Sequence, residues 1–149
     1  MYAGLAEQAV HSLKFERNRS MAEALARNMA GLCPSGIITH VPTANRRVRQ
    51  RGYDQAQLIA RALATATANP YMVLLQRRGT QRQLGQSRGV RQTQLRDAFH
   101  CGGIQAPRDS PVVLVDDVLT TGSTFDAAAQ TLRAAGYTSI HAVAFAWAA

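Results

Sequence analysis

Cysteine is scarce in this chain: Cys33 and Cys101 stand apart from each other and from any histidine cluster in 149 residues. Neither makes a zinc site on its own, and a buried, reduced thiol is the expected state of each. No apolar run approaches the length of a membrane span. The N-terminus also lacks the basic, apolar and small-residue order of a signal peptide, so a cytoplasmic location is the default expectation. No GxxxxGK[ST] loop is present, which excludes the Walker-type nucleotide hydrolases. Acidic residues are few, nine against 17 Lys plus Arg, for a formal charge of +8.

Nearly all of that positive charge is arginine, clustered at 46 to 51 and again at 77 to 96. Arginine suits bidentate contact with phosphate oxygens, which fits a phosphorylated small molecule or a nucleic-acid backbone equally. Aromatic residues amount to 6% of the chain, and only Tyr53 lies near the arginines, which offers little for base stacking on single strands. A hydrophobic content of 46% with 17% charged residues is that of a globular protein. The length suits one domain, 1–149, read as N-terminal helices over 1–35 and a ligand-binding core over 36–149.

The most informative stretch runs from Val112 to Thr124. Four consecutive β-favouring apolar residues, Val112 to Val115, predict a strand buried on both faces, as in the centre of a parallel sheet. Asp116 and Asp117 then fall at its carboxyl end, where open α/β sheets bind ligands. Thr120, Thr121, Gly122, Ser123 and Thr124 are small and mostly hydroxylated, so their backbone N–H groups can turn toward an anion. A helix follows, with Phe125, Ala128, Ala129 and Leu132 on one face, Ser123 as its N-cap and Gly136 as its stop. Its N-terminus adds the positive end of a dipole to the same loop. A phosphate held by loop amides and hydroxyls, beside two carboxylates that accept from sugar hydroxyls, is the ligand this pattern describes.

Elsewhere, strands and helices alternate. Ala6, Ala9, Val10 and Leu13 share one helical face, and Ala22, Leu25, Ala26 and Met29 share another, started by a Ser20–Glu23 capping box. Gly36 precedes a short strand, Ile37 to Val41, stopped by Pro42. Pro42 to Gly52 reads as a basic loop, 53 to 67 as a helix, and Met72 to Leu75 as a second strand after the Asn69-Pro70 break. Ile140 to Trp147 closes the pattern as another buried strand. Repeated strand-helix-strand units predict an α/β fold with a central, mostly parallel sheet. Residues 76 to 97 are polar, Gly-punctuated and nearly without core residues. They predict a long mobile loop, either functional or plain surface. His40 and His141 sit in strand patterns and read as structural histidines.

The 112–124 run resembles the phosphoribosyl pyrophosphate (PRPP) signature of the type I phosphoribosyltransferases. That resemblance implies that Asp116 and Asp117 hold the ribose 2′ and 3′ hydroxyls, that Thr120 to Thr124 hold the 5′-phosphate, and that the fold is the type I phosphoribosyltransferase fold with a flexible loop over the site. Two further strings are similar to the ComF family of phosphoribosyltransferase-like proteins: Val41-Pro42-Thr43 with Arg46, Arg49 and Arg51-Gly52-Tyr53-Asp54-Gln55, and then Thr80, Gln83-Leu84, Arg91, Leu95 and Ala98-Phe99. Asp54 and Gln94 stand where that family usually has Asn, and Asp54 would set a negative charge in a loop expected to face pyrophosphate. The four-cysteine zinc module with which ComF-like proteins commonly begin is absent, since the chain has no CxxC pair.

The resemblance implies transfer of a 5-phosphoribosyl group from PRPP, with Mg²⁺ accompanying the ligand and no metal site built from protein side chains alone. Thr43, Ala44, Asn45, Arg46 and Arg47 are then candidates for the pyrophosphate side, and Arg77, Arg78 and Arg91 for loop residues that reach the leaving group on closure. Two functions of different kinds remain. One is a phosphoribosyltransferase acting on an acceptor that the sequence does not name. The other is a non-catalytic competence protein whose basic surface contacts single-stranded DNA, a helicase-type partner or other DNA-uptake machinery.

Overall fold

The computed structural model describes residues 19–78, 97–102 and 106–147. The first expected helix, around Ala6 to Leu13, and most of the polar segment 76–97, Arg91 included, lie outside them. Helix α1 spans Arg19–Ala30 at the start of the described residues. It buries the stripe Ala22, Leu25, Ala26 and Met29. Strand β1 is Ile37–His40, buried at all four positions. Among the described residues no helix is long and apolar enough to cross a membrane.

Where a basic loop was expected, Asn45–Arg51 forms a short helix, α2. It buries no residue, so it leaves no apolar stripe for a sequence pattern to report. Helix α3, Gln55–Thr67, packs on α1 and buries Ala56, Ile59, Ala60, Leu63 and Ala64. The expected strand over Met72 to Leu75 is not formed as such. Tyr71 makes one parallel bridge to Ile38, with the Ile38 N–H bonded to the Pro70 carbonyl at 2.8 Å and the Met72 N–H to the Ile38 carbonyl at 3.0 Å. The chain then turns into β2, Leu75–Arg77, which pairs antiparallel with β3, Phe99–Cys101. This hairpin interrupts the expected alternation of strand and helix.

Strand β4, Val112–Leu119, is the centre of the main sheet and continues through both aspartates. Helix α4 is Ser123–Ala134 and strand β5 is Ile140–Trp147. The order is β1-β4-β5, all parallel, with the Tyr71 bridge on the free side of β1. The expected stop at Gly136 is borne out: its N–H bonds the Arg133 carbonyl at 2.9 Å and the Tyr137 N–H bonds that of Leu132 at 3.1 Å, the paired closure of a helix end. Strand β5 differs from expectation in being an edge among the described residues, with His141 and Ala142 exposed and Val143 and Ala146 buried.

Side chains alternate across the sheet, which explains why its strands read as unbroken apolar runs. Ile37, Val112 and Leu114 face a layer made by Phe125, Ala128 and Leu132 of α4 together with Leu75 and Phe99 of the hairpin. Ile38, Val113, Val115 and Val143 face the α1–α3 layer. Gly36 is required where β1 meets β4, because a Cβ there would lie 2.6 Å from the Pro111 carbonyl oxygen. That same oxygen accepts the Ile37 N–H at 2.8 Å and opens the pairing. Both cysteines are free and half-buried, Cys33 beneath the α1 end and Cys101 in β3.

Candidate functional site

The strand order fixes where a ligand can enter. From β1 the chain leaves toward Tyr71, and from β4 it leaves toward β5, so the loops that follow β1 and β4 diverge at the carboxyl ends of adjacent strands. Such a switch point opens a crevice in any parallel sheet. Here the crevice is a cleft of about 510 Å³ lined by Val41 to Ala44, Arg47, Arg51, Gln55, Arg77, Asp116 to Val118, Thr120 and Thr124.

On one wall stand the two carboxylates. One oxygen of Asp116 accepts the Asp117 N–H at 2.8 Å, and one oxygen of Asp117 accepts the Val118 N–H at 2.8 Å. The other Asp117 oxygen accepts from the Gln55 amide at 2.6 Å. Burial, then the neighbouring Asp117 charge and hydrogen bond, push the Asp116 carboxyl up to about 8, with the more distant Asp54 charge adding to the effect. Asp116 therefore carries a proton near neutrality, and a hydroxyl-bearing or cationic guest would favour its release.

Gly122 holds the loop below them. At φ +78 it occupies the left-handed region that side chains avoid, and it caps α4 in the place expected for Ser123. No side chain bonds the cap, and Ser123 is instead the first helical residue. The Thr121 and Ser123 hydroxyls meet at 2.9 Å, and Thr121 Oγ1 also accepts the Ser123 N–H at 3.4 Å. Thr120 and Thr124 line the cleft, while Thr121, Gly122 and Ser123 shape the turn beneath it. The positive end of α4 is thus aimed at the same space.

The opposite wall is cationic. Arg47 and Arg51, one helical turn apart on α2, share its cleft face, and Ala44 and Thr43 precede them. Asn45 and Arg46 are not brought in: both are exposed outside the cleft. Arg77 is in the cleft already, carried by β2 and not by a closing loop. It lies over the Phe99 ring at 5.2 Å and donates to the Pro42 carbonyl at 3.3 Å. Burial and the Arg47 charge lower its pKa, against the pull of Asp116 and Asp54. A guanidinium so placed remains a cation. Arg78 points elsewhere, exposed and bonded through its N–H to the Ala98 carbonyl at 2.8 Å, and Arg91 lies outside the described residues.

Asp54 does not face the cleft. Its carboxylate caps α3, accepting the Gln57 N–H at 3.3 Å, and also accepts the Thr43 N–H at 2.8 Å and the Thr43 hydroxyl at 2.9 Å. His40 backs it, with Nε2 at 3.8 Å from Asp54 and Nδ1 meeting the Tyr71 hydroxyl at 2.9 Å. Burial lowers the His40 pKa more than Asp54 raises it, which fits the structural reading of this histidine. Arg51 and Gln55 are cleft residues that the sequence placed only in the basic cluster and the ComF-like string, with no site role of their own. The i, i+4 relation of Arg51 to Arg47 would have set it on the same face had 45–51 been read as helix, whereas Gln55, the first residue of α3, carried no such signal.

A family model described as a phosphoribosyl transferase domain matches residues 48–148. The DNA utilization protein YhgH of Salmonella typhi is 33% identical over 144 residues, covering 88% of this chain and 62% of that protein. Its Escherichia coli K12 counterpart is 31% identical over 152 residues, covering 93% and 66%. The chain thus spans a little under two thirds of the length of these relatives. Among solved structures, the glutamine PRPP amidotransferase of B. subtilis has a TM-score of 0.58 at 23% identity, covering 83% of this chain and 26% of that one. The orotate phosphoribosyltransferase of Aeropyrum pernix has a TM-score of 0.51 at 22% identity, covering 91% and 74%. The two structures share the α/β fold described above, the fold of type I phosphoribosyltransferases. Since the family match takes in more than half of the 149 residues, the chain belongs to the phosphoribosyl transferase domain family.

Proposed function

We propose that the cleft binds PRPP or a related ribose 5-phosphate and that the protein transfers phosphoribose to an acceptor with release of pyrophosphate. The observation that carries this reading is the opposition, across one cleft, of the Asp116–Asp117 pair and three arginines, above the N-terminus of α4. Ribose hydroxyls would donate to the carboxylates. The 5′-phosphate would lie on the Thr120–Thr124 loop, and the anomeric diphosphate would face Arg47, Arg51 and Arg77. In the reaction the C1′–oxygen bond breaks, its electron pair leaves with the diphosphate, and the acceptor bonds C1′. That centre becomes oxocarbenium-like, so the chemistry needs positioning and charge stabilisation more than a protein nucleophile.

Among the described residues no three His, Cys, Asp or Glu side chains are placed to hold a metal ion together. The donor set suits an Mg²⁺ that arrives on the diphosphate, since that ion prefers phosphates and water with one or two carboxylates. Bound there, it would supply charge neutralisation on the leaving group. The test is calorimetric titration of PRPP with Mg²⁺ against wild type and the Asp116→Ala/Asp117→Ala variant. Binding by wild type that the double variant loses supports the assignment; no binding, or equal binding, overturns it.

A second reading, contact with single-stranded DNA, is favoured by the exposed Arg46 and Arg49 on α2 and by the similarity to the DNA utilization protein YhgH. Binding should weaken steeply with salt and fall in Arg46→Glu/Arg49→Glu. Affinity that survives that change removes this reading and leaves the cleft assignment standing.

A further inference from the structure

Three polar side chains are fully buried among the described residues: Thr39, His40 and Gln55. Thr39 and His40 have structural partners, the Leu74 N–H at 3.2 Å and the Tyr71 hydroxyl at 2.9 Å. Gln55 is different, because its partners come from the two chemical ends of the cleft. Its Oε1 accepts from Arg51 Nη1 at 2.8 Å, and its Nε2 donates to Asp117 Oδ2 at 2.6 Å.

The orientation of that amide is forced. A guanidinium only donates and an ionised carboxylate only accepts, so a flipped amide would lose both bonds at once. Gln55 is 2% exposed, so losing either partner would leave a buried polar atom of its amide unsatisfied. Asp117 is then held at both oxygens, by Gln55 on one and the Val118 N–H on the other. Arg51 commits one N–H to Gln55 and keeps the rest of its fork for the cleft that it lines. Only a neutral side chain with an acceptor and a donor at this reach can join the two. Glutamate would set a charge against Asp117, and methionine would fill the volume without either bond.

We propose that Gln55 is a positioning residue that couples the anion end of the cleft, through Arg51, to the hydroxyl end, through Asp117. The inference rests on the cleft being a ribose-phosphate site and adds that its two ends are not independent. A ligand group that orders Arg51 also orders the carboxylate that receives the sugar.

The experiment is a double-mutant cycle read with ribose 5-phosphate, which carries the hydroxyls and the 5′-phosphate but no anomeric diphosphate for Arg51 to touch. Arg51→Ala should weaken its binding about tenfold in wild type, the worth of one hydrogen bond to a charged group, and less than twofold in Gln55→Met. Equal losses in the two backgrounds would overturn the coupling while leaving the ligand assignment intact. Gln55→Met keeps the packed volume, and its circular dichroism melt confirms that it folds. A second arm needs no ligand: in the free protein, Arg51→Ala should speed solvent exchange of the Gln55 side-chain amide protons at least tenfold by NMR. Unchanged exchange overturns the bridge directly. If wild type fails to bind ribose 5-phosphate while exchange does respond to Arg51, the ligand reading falls and the bridge stands.

Discussion

Replacing Asp116 with Asn should stabilise the fold at alkaline pH and leave it nearly unchanged in acid. The carboxyl is pushed from its usual 3.8 to about 8 by burial first, then by the charge and hydrogen bond of Asp117. Between those two values the unfolded chain releases a proton that the folded chain keeps. Stability contributed by the neutral group is therefore complete below pH 4, declines as pH rises toward 8, and is lost above it. A shift of about four units corresponds to a ceiling of roughly 6 kcal/mol at about 1.36 kcal/mol per unit. The ionised state shares its cost with Asp117 and relaxes with the water at the mouth of the cleft, so about 2 kcal/mol is the expected net difference at pH 9.

Asn keeps the oxygen that accepts the Asp117 N–H and brings an amide that can donate to the Asp117 carboxylate, so the variant loses the charge and no hydrogen bond. At roughly 2 to 4 °C per kcal/mol for a chain of this size, the melting temperature of Asp116→Asn should exceed that of wild type by about 4 to 8 °C at pH 9. The two should converge near pH 4. Thermal unfolding followed by circular dichroism from pH 4 to 9 reads this directly. Parallel curves at all pH values would refute the argument, because they would mean that Asp116 ionises in the fold as easily as in water. The same variant should lose ribose 5-phosphate binding, which would place a conformational cost and a function on one carboxyl.

Ribose 5-phosphate binding should release close to one proton at pH 7 and about half a proton at pH 8, because hydroxyl donors favour the ionised form of an Asp116 carboxyl that titrates at about 8. Calorimetry in buffers of different ionisation enthalpy measures it, and a buffer-independent heat would refute it. Asp54→Ala should cost about 2 kcal/mol in urea unfolding, since it removes the α3 cap and both Thr43 bonds, whereas Asp54→Asn, which can still cap, should cost less than half as much; equal losses would mean that the charge and not the bonding matters. Ala68 closes α3 at φ 55, the one non-glycine residue with positive φ among those described. Ala68→Gly should relieve that strain and raise stability by roughly 0.5 to 1 kcal/mol, read as a higher urea midpoint, and a lower midpoint would contradict it.

What the sequence made legible was what local pattern encodes. Val112 to Val115 are apolar without a break because both sheet faces are covered, and the aspartates after them could be assigned to the strand end from that fact alone. The α4 stripe and its Gly136 stop were readable for the same reason. Helix α2 was not, because it buries nothing: its only apolar member, Val48, is half-exposed, and a helix without an apolar face has no periodic signal. Missing it hid the shared face of Arg47 and Arg51. The β2–β3 hairpin escaped because three-residue strands carry too little pattern, and their partners are set by pairing between residues 75–77 and 99–101, far apart in the chain. Arg77 was accordingly read as part of a closing loop, although β2 seats it in the cleft.

Helix α2 also separates two meanings of the same charge. A seven-residue helix with arginines in its first turn and no buried side chain is not stable alone, since the helix dipole opposes Arg46 and Arg47 and no apolar face compensates. What holds it is its ends: the Gly52 N–H bonds the Val48 carbonyl, and Asp54, just beyond it, grips Thr43, just before it. The clasp closes the excursion from β1 to α3 and fixes the roll of α2. Arg47 and Arg51 are thereby turned into the cleft, and Arg46 and Arg49 are turned out to solvent. The cluster at 46 to 51 looks like a single basic patch in the sequence. In the fold it is two surfaces back to back, one lining the cleft and one open to solvent, so substitutions on either face can test one proposed function without removing the other.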